Sequence, residues 1–86
     1  MSYTVVIPKP VQKQLDNLSN EVRESMVEKI SLLVENPRPS GVKKLKGFDH
    51  EYRIRVGDYR VRYEIDDQES LVVILNCRHR KDAYRN

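Results

Sequence analysis

Eighty-six residues with 38% apolar content and a single cysteine suffice for one small core, and they exclude an internal disulfide, a spaced Cys/His zinc set and a second module. No apolar run approaches the length needed to cross a bilayer, and the start M-S-Y-T-V-V-I-P lacks a basic-then-apolar leader, so one cytoplasmic domain over residues 1–86 is expected. The net charge of +3 is unevenly spread: up to Pro37 four cations meet five carboxylates, whereas from Arg38 onward twelve cations, mostly arginine, meet eight.

Residues 3–7 alternate Tyr3, Val5, Ile7 against Thr4 and Val6, which predicts a short first strand ended by Pro8. Pro8 or Pro10 suits the first turn of a helix, where a missing N–H is no loss. Val11, Leu15 and Leu18, spaced by four and three, give that helix one apolar stripe. Ser19 or Asn20 can cap a second helix, with Glu21 and Glu24 near its positive end. Its core face is Val22, Met26, Ile30 and Leu33, and it should stop before Pro37. Met26 reads as packing, and the helix charges as a solvated face.

Arg38-Pro39-Ser40-Gly41 is a loop, and residues 42–47, with Lys43, Lys44 and Lys46 around Leu45, begin a second strand. His50 reads as a surface turn residue, because nothing near it is arranged as a base or orienter.

Residues 52–65, Y-R-I-R-V-G-D-Y-R-V-R-Y-E-I, alternate apolar and charged side chains on both sides of Gly57-Asp58, the pattern of a β-hairpin with one face buried. A two-residue type II′ turn makes Val56 face Tyr59, Arg55 face Arg60 and Arg53 face Arg62. The four arginines then share one face. Like charges directly opposite each other destabilise a sheet, so folding alone gives no reason for them and an anionic partner would supply one. The alternative is a solvated face of splayed arginines.

A polar turn follows, then L-V-V-I-L over 71–75, an uninterrupted run that suits a strand buried on both faces. Cys77 continues it as a small buried thiol. The last three strands form an antiparallel meander whose register is open. A five-residue loop after Ile65 pairs Arg60 with Asn76 and brings Asn76 and Arg78 onto the arginine face; a four-residue loop turns them away. The fold class expected is α+β, with two N-terminal helices packed on one face of a twisted, mainly antiparallel four-stranded sheet.

No Ser/His/Asp set, carboxylate pair, phosphate loop or metal cluster is present. What converges is guanidinium plus phenol, groups suited to RNA cleavage, in which the 2′-OH attacks the neighbouring phosphate and cations stabilise the charge that builds on its oxygens. Tyr84, with Arg78, Arg80, Lys81 and Arg85 around it in sequence, could serve as a base whose pKa is drawn down by cations, as a stacking platform, or simply to pack the tail. His79 is a second acid/base candidate, although alternation can point it away from Arg78 and Arg80.

Two helices, P-R-P before K-K-L-K-G, then Y-R-I-R-V-G-D-Y-R-V-R-Y and the ending H-R-K-D-A-Y resemble the RelE-type toxins of bacterial toxin-antitoxin pairs, within the RelE/ParE superfamily, over nearly the whole chain. The resemblance implies a fold similar to small microbial ribonucleases and an endoribonuclease that cuts messenger RNA in the ribosomal A site without metal or cofactor. It assigns the catalytic roles to Arg60, Arg78 and Tyr84. Arg53, Arg55, Arg62, Arg80, Lys81 and Lys46 are then expected to hold RNA. Arg53 and Arg55 stand where some members have lysines, which keeps charge but removes a group able to donate a proton. Implied partners are an acidic, partly disordered antitoxin, RelB-like, together with the ribosome and its message, and no membrane. The rival readings are a ParE-like toxin acting on DNA gyrase, a module that only holds nucleic acid, and a ribonuclease acting on free RNA.

Overall fold

The computed structural model describes residues 2–45, 47 and 50–83. In chain order they form β1 (Thr4–Val6), α1 (Lys9–Asp16), α2 (Asn20–Leu32), β2 (Lys43–Lys44), β3 (Glu51–Val56), β4 (Tyr59–Asp66), β5 (Leu71–His79) and α3 (Arg80–Ala83). The strands make one five-stranded sheet in the order β1-β5-β4-β3-β2. The α+β class and the antiparallel meander β3-β4-β5 agree with the sequence reading. The expected four strands become five because the two-residue β2 pairs with β3 while β1 crosses to the far edge and lies parallel to β5.

Each helix starts where its residues dictate. Pro10 occupies the first turn of α1, where the lost donor costs nothing. Ser19 caps α2 by accepting the N–H of Val22 at 3.4 Å. Val11 and Leu15 of α1, and Met26, Ile30 and Leu33 of and after α2, bury their stripes against Tyr52, Ile54, Val56, Val61, Tyr63, Ile65, Val72, Ile74 and Cys77. Helices α1 and α2 therefore lie on the apolar side of the sheet, and the charged side chains of the strands point the other way. That arrangement corrects the expectation for the L-V-V-I-L run: Val72 and Ile74 are buried, but Leu71, Val73 and Leu75 are only half-buried. Among the described residues no helix is long and apolar enough to cross a membrane.

The hairpin forms as its alternation requires. Gly57 adopts φ +59°, while Asp58 has a negative φ, the combination a type II′ turn needs. Pairing runs Val56 to Tyr59, Arg55 to Arg60 and Arg53 to Arg62.

At the opposite end a polar clamp ties four segments together. Arg38 donates from Nη1 and Nη2 to the two Asp67 oxygens at 3.2 and 2.8 Å, and from Nε to the Tyr52 hydroxyl at 3.3 Å. The Tyr3 hydroxyl donates to Asp67 at 2.7 Å, and the buried Tyr63 hydroxyl donates to the Pro37 carbonyl at 2.7 Å. Arg38, counted in sequence with the cations of the C-terminal half, thus serves the fold. Its guanidinium, followed by the Tyr3 hydroxyl, holds the Asp67 carboxyl below its ordinary value.

A carboxyl whose folded pKa is depressed contributes stability above its unfolded pKa and loses it as pH falls through the folded value. Asp67→Asn is therefore expected to flatten the fall of the urea midpoint below about pH 4, measured against wild type across that range. An unchanged acid limb would mean the clamp contributes nothing.

Candidate nucleic-acid interface

The side of the sheet turned away from α1 and α2 is organised by its ladders, because antiparallel partners point to the same face. One rung carries Arg55, Arg60 and Arg78 across β3, β4 and β5. The next carries Lys43, Arg53, Arg62 and Asn76 across β2 to β5. Neighbouring strands lie about 4.8 Å apart and alternate residues about 6.8 Å. Six cations accordingly project from a patch on the order of 15 by 7 Å.

How Arg78 reaches that patch is the local feature that sequence could not phase. The β4–β5 loop joins Asp66 to Leu71, and pairing proceeds through Ile65 with Val72 and Tyr63 with Ile74. Carried on unbroken, this register would set Cys77 against Arg60 and turn Arg78 to the helix side. A bulge at Leu75 shifts it, so Arg62 pairs with Asn76, Val61 with Cys77 and Arg60 with Arg78. Counted from Ile65 to its partner Val72 the connection spans residues 66–71, longer than either of the two lengths considered from sequence. The pairing of Arg60 with Asn76 is corrected to Arg78, yet Asn76 and Arg78 do share the arginine face, through the bulge and not through loop length alone.

The pairing is also visible in the backbone bonds that flank it. The Leu45 N–H donates to the Glu51 carbonyl, and the Ile65 N–H to the His50 carbonyl. This alternation makes Arg60 and Arg55 a non-hydrogen-bonded pair, with Cα atoms about 4.5 Å apart and side chains close together. Arg60 and Arg78 form a hydrogen-bonded pair, about 5.5 Å apart.

Charge on the face is partly balanced. Arg62 donates from Nη2 to Glu51 at 2.7 Å, with the carboxylate largely buried, so Arg62 is held by the protein's own acid. Arg55 turns its Nε to the Gly57 carbonyl at 3.1 Å. Among the described residues Arg53 and Arg78 have no carboxylate partner, and Arg78 is exposed.

The remaining expected residues divide. Arg80 and Lys81 leave the ladder and start α3, where the Arg80 N–H donates to the Asp58 carbonyl at 2.7 Å and the Lys81 N–H to His79 Nδ1 at 3.2 Å. His79 pairs with Tyr59, stacks edge-on against it at 5.2 Å, and so lies on the side opposite Arg60 and Arg78. Lys46 and Tyr84 lie outside the described residues. Lys43 was missed as a face residue, because the two-residue β2 carries too little alternation to phase, although its place in the basic stretch V-K-K-L-K was visible. Cys77, as expected, is a buried thiol, and burial pushes its pKa up to about 11.

Two of the clefts have the wrong chemistry for an anion. One of about 500 Å³ at the far end of the sheet is lined by His50, Glu64, Asp66, Asp67, Leu71 and Val73. Another, beside the hairpin turn, is lined by Glu21, Glu24, Glu28 and Asp58 around Val22, Val56 and Tyr59. The shallow cationic face, not a cavity, is the candidate site. Among the described residues no group of three His, Cys, Asp or Glu could hold a metal ion.

A small α+β protein with helices on one side of a sheet and guanidinium groups on the other is the class these observations define. The model of the ParE toxin of type II toxin-antitoxin systems matches residues 5–84. RelE1 of Methanocaldococcus jannaschii is 35% identical over 100% of this chain and 99% of that protein. Toxin RelG of Mycobacterium tuberculosis is 33% identical over 99% of each. In three dimensions the chain resembles the archaeal RelE-RelB complex structure from Pyrococcus horikoshii, with a TM-score of 0.83 at 34% identity, covering 93% of this chain and 97% of that one. The chain belongs to the RelE/ParE superfamily of toxins of type II toxin-antitoxin systems.

The capacity of the face for phosphate can be read with a single-stranded oligonucleotide titrated at several salt concentrations. Each phosphate neutralised contributes about 0.7 to the slope of log K against log salt. Lys43→Ala and Arg78→Ala are each expected to make that slope shallower by about this amount; a slope unmoved by Lys43→Ala would place Lys43 outside the interface.

Proposed function

We propose that this toxin is a metal-independent, ribosome-dependent endoribonuclease that cuts messenger RNA in the A site, and that the rung of Arg55, Arg60 and Arg78 receives the scissile phosphate. The observation that carries the reading is the register that sets Arg55, Arg60 and Arg78 side by side on one face of the sheet, an array of guanidinium groups suited to the oxygens of a phosphodiester.

In the proposed step the 2′ oxygen attacks phosphorus, its proton passes to a base, the bond to the 5′ oxygen breaks, and that oxygen takes up a proton. The products are a 2′,3′-cyclic phosphate and a 5′-hydroxyl. Arg60 and Arg78 stabilise the charge on the phosphoryl oxygens, for which one well-placed donor supplies about 2.7 to 4 kcal/mol. Tyr84 supplies the phenol, either taking the 2′ proton or stacking on a base. Arg53, Lys43 and the other cations hold flanking phosphates. A site with so few acid/base groups depends on its substrate being positioned, and orientation by the ribosome can lower a barrier by roughly 7 to 11 kcal/mol. A small acidic antitoxin of the RelB kind is the partner proposed for the same face, in keeping with relatives whose structures are RelE-RelB complexes. Such a chain would work in the cytoplasm, where ribosomes are.

The match to the ParE toxin model favours a second reading, action on DNA gyrase. Primer extension on cellular messages after induction separates the two. Codon-phased cuts are expected for wild type, with Arg60→Ala reducing them by about 10²- to 10³-fold; Tyr84→Phe removes them where the phenol takes the 2′ proton and spares them where the ring stacks on a base. Intact messages with arrested DNA replication would overturn the nuclease reading in favour of gyrase.

A further inference from the structure

We infer that Gln14 is a positioning residue for Arg78. Its side chain reaches from α1 to the edge of β5, where Oε1 accepts the backbone N–H of Cys77 at 2.8 Å. Because the partner is an N–H donor, the amide oxygen and not its nitrogen must face Cys77.

The contact answers a specific shortage. β1 covers β5 only from Leu71 to Val73, since the chain turns at Pro8 into α1. Beyond that point the outer edge of β5 has no strand beside it, and this is where the bulge at Leu75 has broken the regular ladder. After the bulge, Arg78 turns its backbone toward β4 and Cys77 turns its N–H outward, to the edge that β1 no longer reaches. A half-buried N–H there needs an acceptor, and Gln14 substitutes for the missing strand. The peptide units on either side of Cys77 are then held from both directions: by β4 through the Arg60–Arg78 pair, and by α1 through Gln14. Without the second hold, the bulged strand has freedom to slip toward the unbulged register, in which Arg78 leaves the arginine face. Gln14 touches no substrate and acts through the backbone that carries Arg78.

This inference rests on the phosphodiester-cleaving reading for its consequence, but not for its geometry. Gln14→Met keeps the length of the side chain and removes the acceptor; Gln14→Glu keeps an acceptor. Amide hydrogen exchange followed by NMR is expected to show the Cys77 N–H exchanging about tenfold faster in Gln14→Met, the loss of roughly one net hydrogen bond, and near the wild-type rate in Gln14→Glu. Single-turnover cleavage on programmed ribosomes is expected to fall by a similar factor at saturating toxin. In an Arg78→Ala background, Gln14→Met should add nothing. Unchanged exchange at Cys77, or an effect of equal size with and without Arg78, would overturn the assignment. Should wild type cleave nothing, the functional reading fails by itself; the same cycle, read as oligonucleotide affinity, still decides Gln14.

Discussion

The register between β4 and β5 is the constraint on which the rest of the site depends. An antiparallel pair assigns faces by parity, so a one-residue shift exchanges every side chain between the core and the solvent side. Here the pairing begins in one register, keeps Tyr63, Ile65, Val72 and Ile74 in the core, and changes at Leu75. Beyond the bulge Val61 and Cys77 remain buried, while Asn76 and Arg78 join Arg62 and Arg60 outside. The core is satisfied on both sides of the irregularity, and the bulge is what lets an apolar strand end as a cationic one. Bulges are used in this way to re-aim side chains near functional sites.

Placing like charges in register has an energetic cost that the protein offsets locally. Glu51 takes up Arg62, and the Gly57 carbonyl takes up the Arg55 Nε. At the other end of the sheet Arg38 is withdrawn into the clamp with Asp67, Tyr3 and Tyr52. The acidic clefts are lined by residues outside the two rungs. Among the described residues Arg53 and Arg78 are left without a carboxylate partner, a smaller set than the twelve cations of the C-terminal half would suggest.

What was legible in the sequence follows from where the pattern had a period. The hairpin was readable to the residue, because alternation on both sides of Gly57-Asp58 fixes both faces and the turn. The helices were readable from their apolar spacing, together with Ser19 and Pro10 at their starts. The β5 register was not, because L-V-V-I-L has no alternation to phase it and a bulge leaves no mark in composition. The parallel placement of β1 depends on how α1 and α2 return the chain across the sheet, which no local signal records. Lys43 was lost for the same reason as β2: two residues carry no period. Family membership, by contrast, was carried by K-K-L-K-G and the hairpin, and it agrees with the relatives and solved structures that the chain resembles.

In the proposed reaction the rung of Arg55, Arg60 and Arg78 receives a phosphodiester. That is tested most directly by NMR of the arginine Nε–Hε groups during titration with a short RNA whose scissile 2′-OH is replaced by 2′-O-methyl. Saturable shifts at Arg60 and Arg78, with smaller ones at Arg53, are the predicted result. Shifts confined to the His50–Asp67 cleft, or to arginines off the rungs such as Arg38 and Arg23, would contradict it.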